Sequence, residues 1–117
     1  MTLKHSLSKI AVIFSLGLLL GCHSQPSFNF GAYSEAERLF EKGKYEQAIA
    51  KYQEYLGENP DGNMAVISEY YMAKSYDALG DSAKAGELYE KVAKEHPDLV
   101  WAGFSKTRLA ELKQEPA

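Results

Sequence analysis

The chain of 117 residues carries one cysteine and three histidines, so the side chains most able to do covalent or metal chemistry are few and their placement decides what is open. Cys22 has no second thiol with which to form an internal disulfide. Together with His5, His23 and His96 it gives none of the spacings of a multi-ligand zinc site. A nucleophile needs a base within hydrogen-bond reach, and no histidine here has an acid or thiol partner close by in sequence. Carboxylates are plentiful, but Glu87 with Lys91 and Glu90 with Lys94 stand four residues apart, where a helix makes solvated ion pairs of them. No G-x-G-x-x-G, G-x-x-x-x-G-K-[ST] or H-E-x-x-H string occurs. The expectation is a protein without catalytic residues, cofactor or metal, and not an enzyme.

The surroundings of Cys22 give it a different use. Lys4, His5 and Lys9 precede an apolar run from Ile10 to Leu20, and Leu19-Leu20-Gly21 leads directly into Cys22. That order is the charged region, apolar region and small cleavage residue of an export signal. The run is too short to cross a bilayer, which takes about 20 apolar residues. Residues 1–21 are therefore expected to be a signal peptide. Leu-Leu-Gly-Cys resembles the bacterial lipobox, and the resemblance implies lipidation of Cys22, cleavage before it and a membrane anchor. Two or three acyl chains hold durably where one is marginal, at about 0.8 kcal/mol per buried CH₂. His23 follows the cysteine where an aspartate would retain such proteins at the inner membrane. Its presence implies the outer membrane, at the periplasmic face. The alternative is a plain thiol after an ordinary signal peptide.

Residues 22–31 read as the lipidated cysteine and a short tether without periodicity, in which Phe28 and Phe30 either pack under the first helix or meet the membrane interface. With residues 1–21 set aside, the remainder is net acidic, which argues against nucleic acid as a partner because displacing phosphate counterions takes a basic footprint. At 45% hydrophobic and 25% charged the composition is that of a folded domain rather than a disordered chain.

Behind the tether the sequence repeats. GKYEQAIAKYQEYLGENP from Gly43 aligns with GDSAKAGELYEKVAKEHP from Gly80 at a constant offset, pairing Ala48 with Ala85, Tyr52 with Tyr89 and Pro60 with Pro97. The same offset joins Ala36, Ala73 and Ala110, and Ile67 with Phe104. A period of 20–50 residues means a solenoid. Ala48, Ile49, Tyr52, Tyr55 and Leu56, then Ala85, Leu88, Tyr89, Val92 and Ala93, are the stripes of helices buried on one side. Gly43 and Gly80 sit where a left-handed cap reverses the chain, Asp81 or Ser82 can cap the next helix, Ser34 with Glu37 offers a capping box, and Pro60 and Pro97 end helices. An all-α domain over 32–114 follows, with helices near 32–42, 45–57, 64–79, 82–95 and 99–114 and Ala48, Tyr52, Ala73, Tyr76, Ala85 and Tyr89 at the helix contacts. Asp98 is expected to start the last helix. That helix covers the open end of the second repeat, with Trp101 either in the cover or exposed as a binding anchor.

Ala73, Tyr76, Gly80, Ala85, Tyr89 and Pro97 resemble the tetratricopeptide-repeat pattern, and Ala36, Gly43, Tyr45, Ala48, Ile49, Tyr52 and Pro60 match it in the first copy. Ala32 and Leu39 depart from it, standing where the family favours Trp and Tyr. The family period is 34, so the surplus near Asp61-Gly62-Asn63 lengthens either the inter-repeat loop or the following helix. The resemblance implies two helical hairpins, about 32–62 and 64–97, with a capping helix over 99–114. It extends to envelope lipoproteins with such repeats, including outer-membrane assembly and cell-division coordinating types. In the family the first helices of successive repeats line a groove for a peptide or partner helix. Carried over position by position, the groove residues are Tyr33, Glu37, Tyr70, Lys74, Asp77, Arg108 and Glu111. They do not reproduce the family's clamp for chaperone C-termini. The expected function is a membrane-anchored adaptor or scaffold for a cell-envelope complex, binding an envelope protein or peptide in the groove. The alternative is a structural or accessory lipoprotein that self-associates or contacts the cell wall. With two repeats and a cap, the stack is expected to gain burial from a partner or a second copy, and Tyr70 and Arg108 to be replaceable without loss of stability.

Overall fold

The computed structural model describes residues 31–116, so the signal peptide, Cys22 and most of the tether lie outside the described residues. Within them the chain is all-helical: α1 (Gly31–Glu41), α2 (Tyr45–Glu58), α3 (Ala65–Ala78), α4 (Ser82–Glu95) and α5 (Val100–Leu112). Each helix packs on the next, and α3 also touches α5. The five expected helices are thus found, as a short helical solenoid.

The two hairpin turns are built alike. Gly43 has φ 71° and Gly80 φ 81°, the left-handed conformation that costs a Cβ-bearing residue about 1–2 kcal/mol. At the first turn the Lys44 and Gly43 amides donate to the Leu39 and Phe40 carbonyls. At the second, Asp81 and Gly80 donate to Tyr76 and Asp77. These are paired Schellman bonds, which satisfy helix-end carbonyls while the chain reverses. Asp81 caps α4, accepting from the Lys84 amide at 3.1 Å. Two other expected caps are not formed. Ser34 lies inside α1, and Leu99 rather than Asp98 precedes the first residue of α5, without a side-chain cap.

The inter-repeat connections differ. Residues 59–64 join α2 to α3 and 96–99 join α4 to α5, so the surplus residues went into the loop. The Met64 amide donates to the Tyr55 hydroxyl at 3.3 Å, pinning that loop to α2. A Cβ on Gly62 would stand 2.5 Å from the same oxygen, so the close approach requires glycine there.

Ala36, Ala48, Ala73 and Ala85 are fully buried. Small residues at these positions let the helices of each hairpin close on one another, and Tyr52 and Tyr89 fill the space beside them. Two cores result. One gathers Tyr33, Leu39, Ile49, Tyr52, Tyr55 and Met72, the other Ala73, Ala85 and Tyr89, with the partly buried Tyr76 packed against both. Ala110, the third member of the Ala36 series, is exposed, because α5 is the last described helix and has no hairpin partner to receive it.

Candidate functional site

The side of the solenoid shared by α1, α3 and α5 carries a run of rings. Phe40 of α1 meets Tyr71 of α3 at a centroid distance of 5.1 Å, Tyr70 meets Trp101 of α5 at 5.1 Å, and Trp101 meets Phe104 at 5.9 Å. Tyr71 also meets Trp101, at 6.1 Å, so it touches rings of both α1 and α5, and with Tyr70 it lets one turn of α3 join both seams. Trp101 is half-buried and belongs to the cover of the second repeat. Phe104, one turn further on, is 50% exposed.

Lys74 lies one turn beyond Tyr70 on α3, and its Nζ stands 5.5, 5.9 and 5.2 Å from the ring centres of Phe40, Tyr70 and Tyr71. Cation–π attraction of this kind contributes about 0.5–1 kcal/mol at exposed sites. Among the described residues Lys74 has no carboxylate within ion-pair distance. Arg108 is engaged. Its Nε and Nη2 donate to the two Asp77 oxygens at 2.6 and 2.9 Å, a two-point bond joining α5 to α3. Its Nη1 is shared by Glu111 at 3.0 Å and Glu115 at 2.9 Å. The Tyr89 hydroxyl also donates to Asp77, at 3.3 Å. The Arg108 hydrogen bonds hold the Asp77 carboxyl below its ordinary range, and burial, followed by the Asp77 charge, pushes the Tyr89 phenol up.

A cavity of about 410 Å³ opens over this arrangement, and five of the seven residues expected to contact a partner line it: Tyr70, Lys74, Asp77, Arg108 and Glu111. Tyr33 and Glu37 of α1 do not line it. Tyr33, expected as a groove anchor, is 6% exposed. Its ring packs on Tyr52 and Tyr55, its hydroxyl donates to Glu37 at 2.6 Å, and burial raises its pKa. It is a core residue, because a tyrosine beside two helix-contact tyrosines buries more area inward than outward. Phe104 and Thr107 line the cavity unforeseen, together with the Tyr89 expected only in the core. The spacing of Trp101, Phe104 and Arg108 at i, i+3 and i+7 along α5 was the available signal for Phe104.

A model of the tetratricopeptide repeat matches residues 39–105, more than half of the chain. The chain belongs to the tetratricopeptide-repeat family. No curated protein matches it. Repeats of this family are protein-interaction modules, and the lining of the cavity by first-helix residues of the second repeat and of α5 places the candidate site on the repeat surface itself. No helix among the described residues is long and apolar enough to cross a membrane.

On a neighbouring face of α3, the side chains of Glu69, Glu95 and His96 converge, each offering one donor atom within 4.8 Å of the others. Lys91 of α4 donates to Glu69 there and lies 3.9 Å from Glu95. The sequence spacing concealed this grouping, since Glu69 and the other two belong to different helices.

Proposed function

We propose that the chain is a lipid-anchored adaptor of the bacterial envelope, tethered through Cys22 to the outer membrane, which holds an envelope protein or peptide in the cavity between α3 and α5. The observation that carries the groove reading is Lys74, a cation over three rings with no carboxylate at ion-pair distance among the described residues, beside the half-exposed Phe104. A partner segment with an apolar side chain for Phe104 and Tyr70 and a carboxylate for Lys74 complements both. Aromatic and cationic anchors of this kind dominate interface energetics. Arg108 and Asp77 neutralise one another and act as the wall rather than as free anchors. The non-enzymatic reading rests on the same surface and on the residue types available. For the anchor, the support is the string Leu19-Leu20-Gly21-Cys22.

A photo-crosslinker at Thr107 should capture an envelope protein in intact cells, one at Gln53 on the outer side of α2 should not, and Lys74→Glu should abolish the capture. Equal capture from both positions would sink the groove reading. Labelled fatty acid should enter the wild type and not Cys22→Ser, and equal labelling would remove the anchor. Self-association has its own support, because Val100 and Phe104, four apart on the terminal helix, are 59% and 50% exposed. Sedimentation showing a dimer that Phe104→Asp dissociates would favour that reading.

A further inference from the structure

The surface by which each first helix receives its hairpin partner is filled twice and open once. In the first repeat Ala32, Ala36 and Leu39 of α1 are all buried, and α1 packs on α2. In the second, the same positions are Glu69, Ala73 and Tyr76 of α3, packed against α4. There Ala73 and Ala85 are fully buried, the Lys91 ammonium donates to Glu69, and the Lys84 Nζ stands 5.2 Å from the Tyr76 ring centre. Lys84 and Lys91 lie seven residues apart on one face of α4, with Leu88 between them packed against the core. On α5 the constant offset of the repeat brings Lys106, Ala110 and Lys113 to these positions, and all three are exposed. Neither lysine has an ion-pair partner among the described residues. The Glu90 carboxyl of α4 feels the Lys113 charge but is bonded to Lys94 at 2.8 Å. A terminal helix needs a polar outer face for solubility, and polarity of either sign would serve. Two unpaired charges of one sign, flanking the small residue over which a helix closes in both hairpins, form instead the counterpart of an acidic helix.

We propose that the face of α5 carrying Lys106, Ala110 and Lys113 docks an acidic amphipathic helix of a partner protein, seated on α5 as α4 is seated on α3. The second hairpin sets the pattern. Lys84, Ala85, Leu88 and Lys91 are the residues of α4 at that contact, so the docked helix carries a carboxylate at the first and last of these positions, a small residue next to the first, and an apolar residue at the third. Running antiparallel to α5, it brings the first carboxylate to Lys113 and the last to Lys106, closes over Ala110, and lays its apolar residue on the half-buried Leu109, which holds the position of Met72. Exposed ion pairs are worth little singly, so the apolar and small-residue contacts supply the affinity and the carboxylates the choice of partner. Lys106 and Lys113 are about half a turn round α5 from Phe104 and Arg108, so this partner leaves the ring-lined cavity free.

The test uses a fluorescent peptide with the sequence of residues 81–97 of this chain, in which Lys84→Glu and Lys91→Glu supply the carboxylates. It is titrated with the full chain carrying Cys22→Ser, which keeps the protein free of lipid. The acidic peptide should bind about tenfold more tightly than the unaltered one, with a preference that shrinks as salt is added. Lys106→Glu together with Lys113→Glu should reverse the preference, Ala110→Phe should weaken binding of the acidic peptide, and Lys74→Glu in the cavity should change nothing, with circular dichroism verifying that each variant keeps its helices. No binding of the acidic peptide, equal affinity for the two peptides, a preference that survives the charge reversal, or loss of binding in Lys74→Glu would overturn the proposal. So would a dimer of the chain alone that the double charge reversal dissociates, because the occupant would then be a second copy.

Discussion

The two seams between first helices occupy equivalent positions of the repeat, and at one equivalent pair of those positions they are joined by opposite chemistry. Between α1 and α3, Phe40 meets Tyr71 edge to face at 5.1 Å and 83°. One repeat later those positions are Asp77 and Arg108, joined by two hydrogen bonds of 2.6 and 2.9 Å. The tyrosines behind the seams diverge in the same way. Tyr52, fully buried, has a hydroxyl with no hydrogen-bond partner, whereas the hydroxyl of Tyr89, 2% exposed, reaches Asp77 at 3.3 Å. One backbone plan therefore tolerates an aromatic contact and a charged one at the same pair of positions. The first has no ion pair across it among the described residues, so it is expected to respond less to pH than the second. The second holds its partners in fixed orientation at the edge of a cavity, where a ligand can meet oriented polar groups.

The largest effect expected is common to both halves. Tyr52→Ala and Tyr89→Ala should each cost about 3–5 kcal/mol in denaturant unfolding, the range for emptying a large aromatic site in a core. A loss below 1 kcal/mol in either would mean that the corresponding half is loosely packed.

Next comes the charged seam. Arg108→Met strips the cation from Asp77, whose side chain is only 17% exposed, and should cost about 1–3 kcal/mol. This replaces the expectation that Arg108 can be removed without loss of stability. Because the folded-state pKa of Asp77 is lowered, its stabilisation is present above the ordinary value of 3.8 and is lost as pH falls through the lowered folded value. Melting followed from pH 6 down to about 2 should show this acid loss in wild type and less of it in Asp77→Asn. Identical profiles would remove the charged seam from the stability of the fold.

The aromatic seam should respond more weakly to a subtler change. Phe40→Leu keeps the apolar volume and loses the ring geometry, which is worth about 0.5–1.5 kcal/mol, with the same decrement at pH 3 and pH 7 and at low and high salt. A decrement that shrinks as salt is added would show that Lys74, 5.5 Å above the Phe40 ring, contributes most of what is lost, because salt screens its attraction to the ring.

The smallest effect separates the halves most directly. Tyr89→Phe should cost about 0.5–1.5 kcal/mol, the net value of one hydrogen bond. Tyr52→Phe, which removes a hydroxyl with nothing to bond, should be neutral or stabilising. Equal costs for the two would show that Tyr52 has a partner.

The helical stripes, the hairpin glycines and the helix-ending prolines were legible as a sequence because each depends on a local rule. Apolar residues at 3.6-residue spacing must share a helix face, and a left-handed turn selects glycine whatever surrounds it. Five of the seven residues carried over from the family's groove positions line the cavity, since repeats of one pattern present the same helix face. The offset did not say which tyrosines of a face turn inward, and Tyr33 went to the core. It did not show that Phe104 would stay half-exposed, because that depends on α5 having no further helix beside it among those described.

The sequence alone therefore determined the element order, the repeat and the family, all of which follow from periodicity and from the backbone preferences of glycine and proline. Tertiary structure alone decided the pairing of Asp77 with Arg108, 31 residues away, and the meeting of Glu69 with Glu95 and His96. Each of these residues, taken along its own helix, has the spacing of an ordinary solvated polar position. Only when the helices pack do the separations fall to hydrogen-bond distances or, for Glu69, Glu95 and His96, to within 4.8 Å, and a charge whose energy depends on what lies opposite it carries no mark of that partner in its own neighbourhood of the chain.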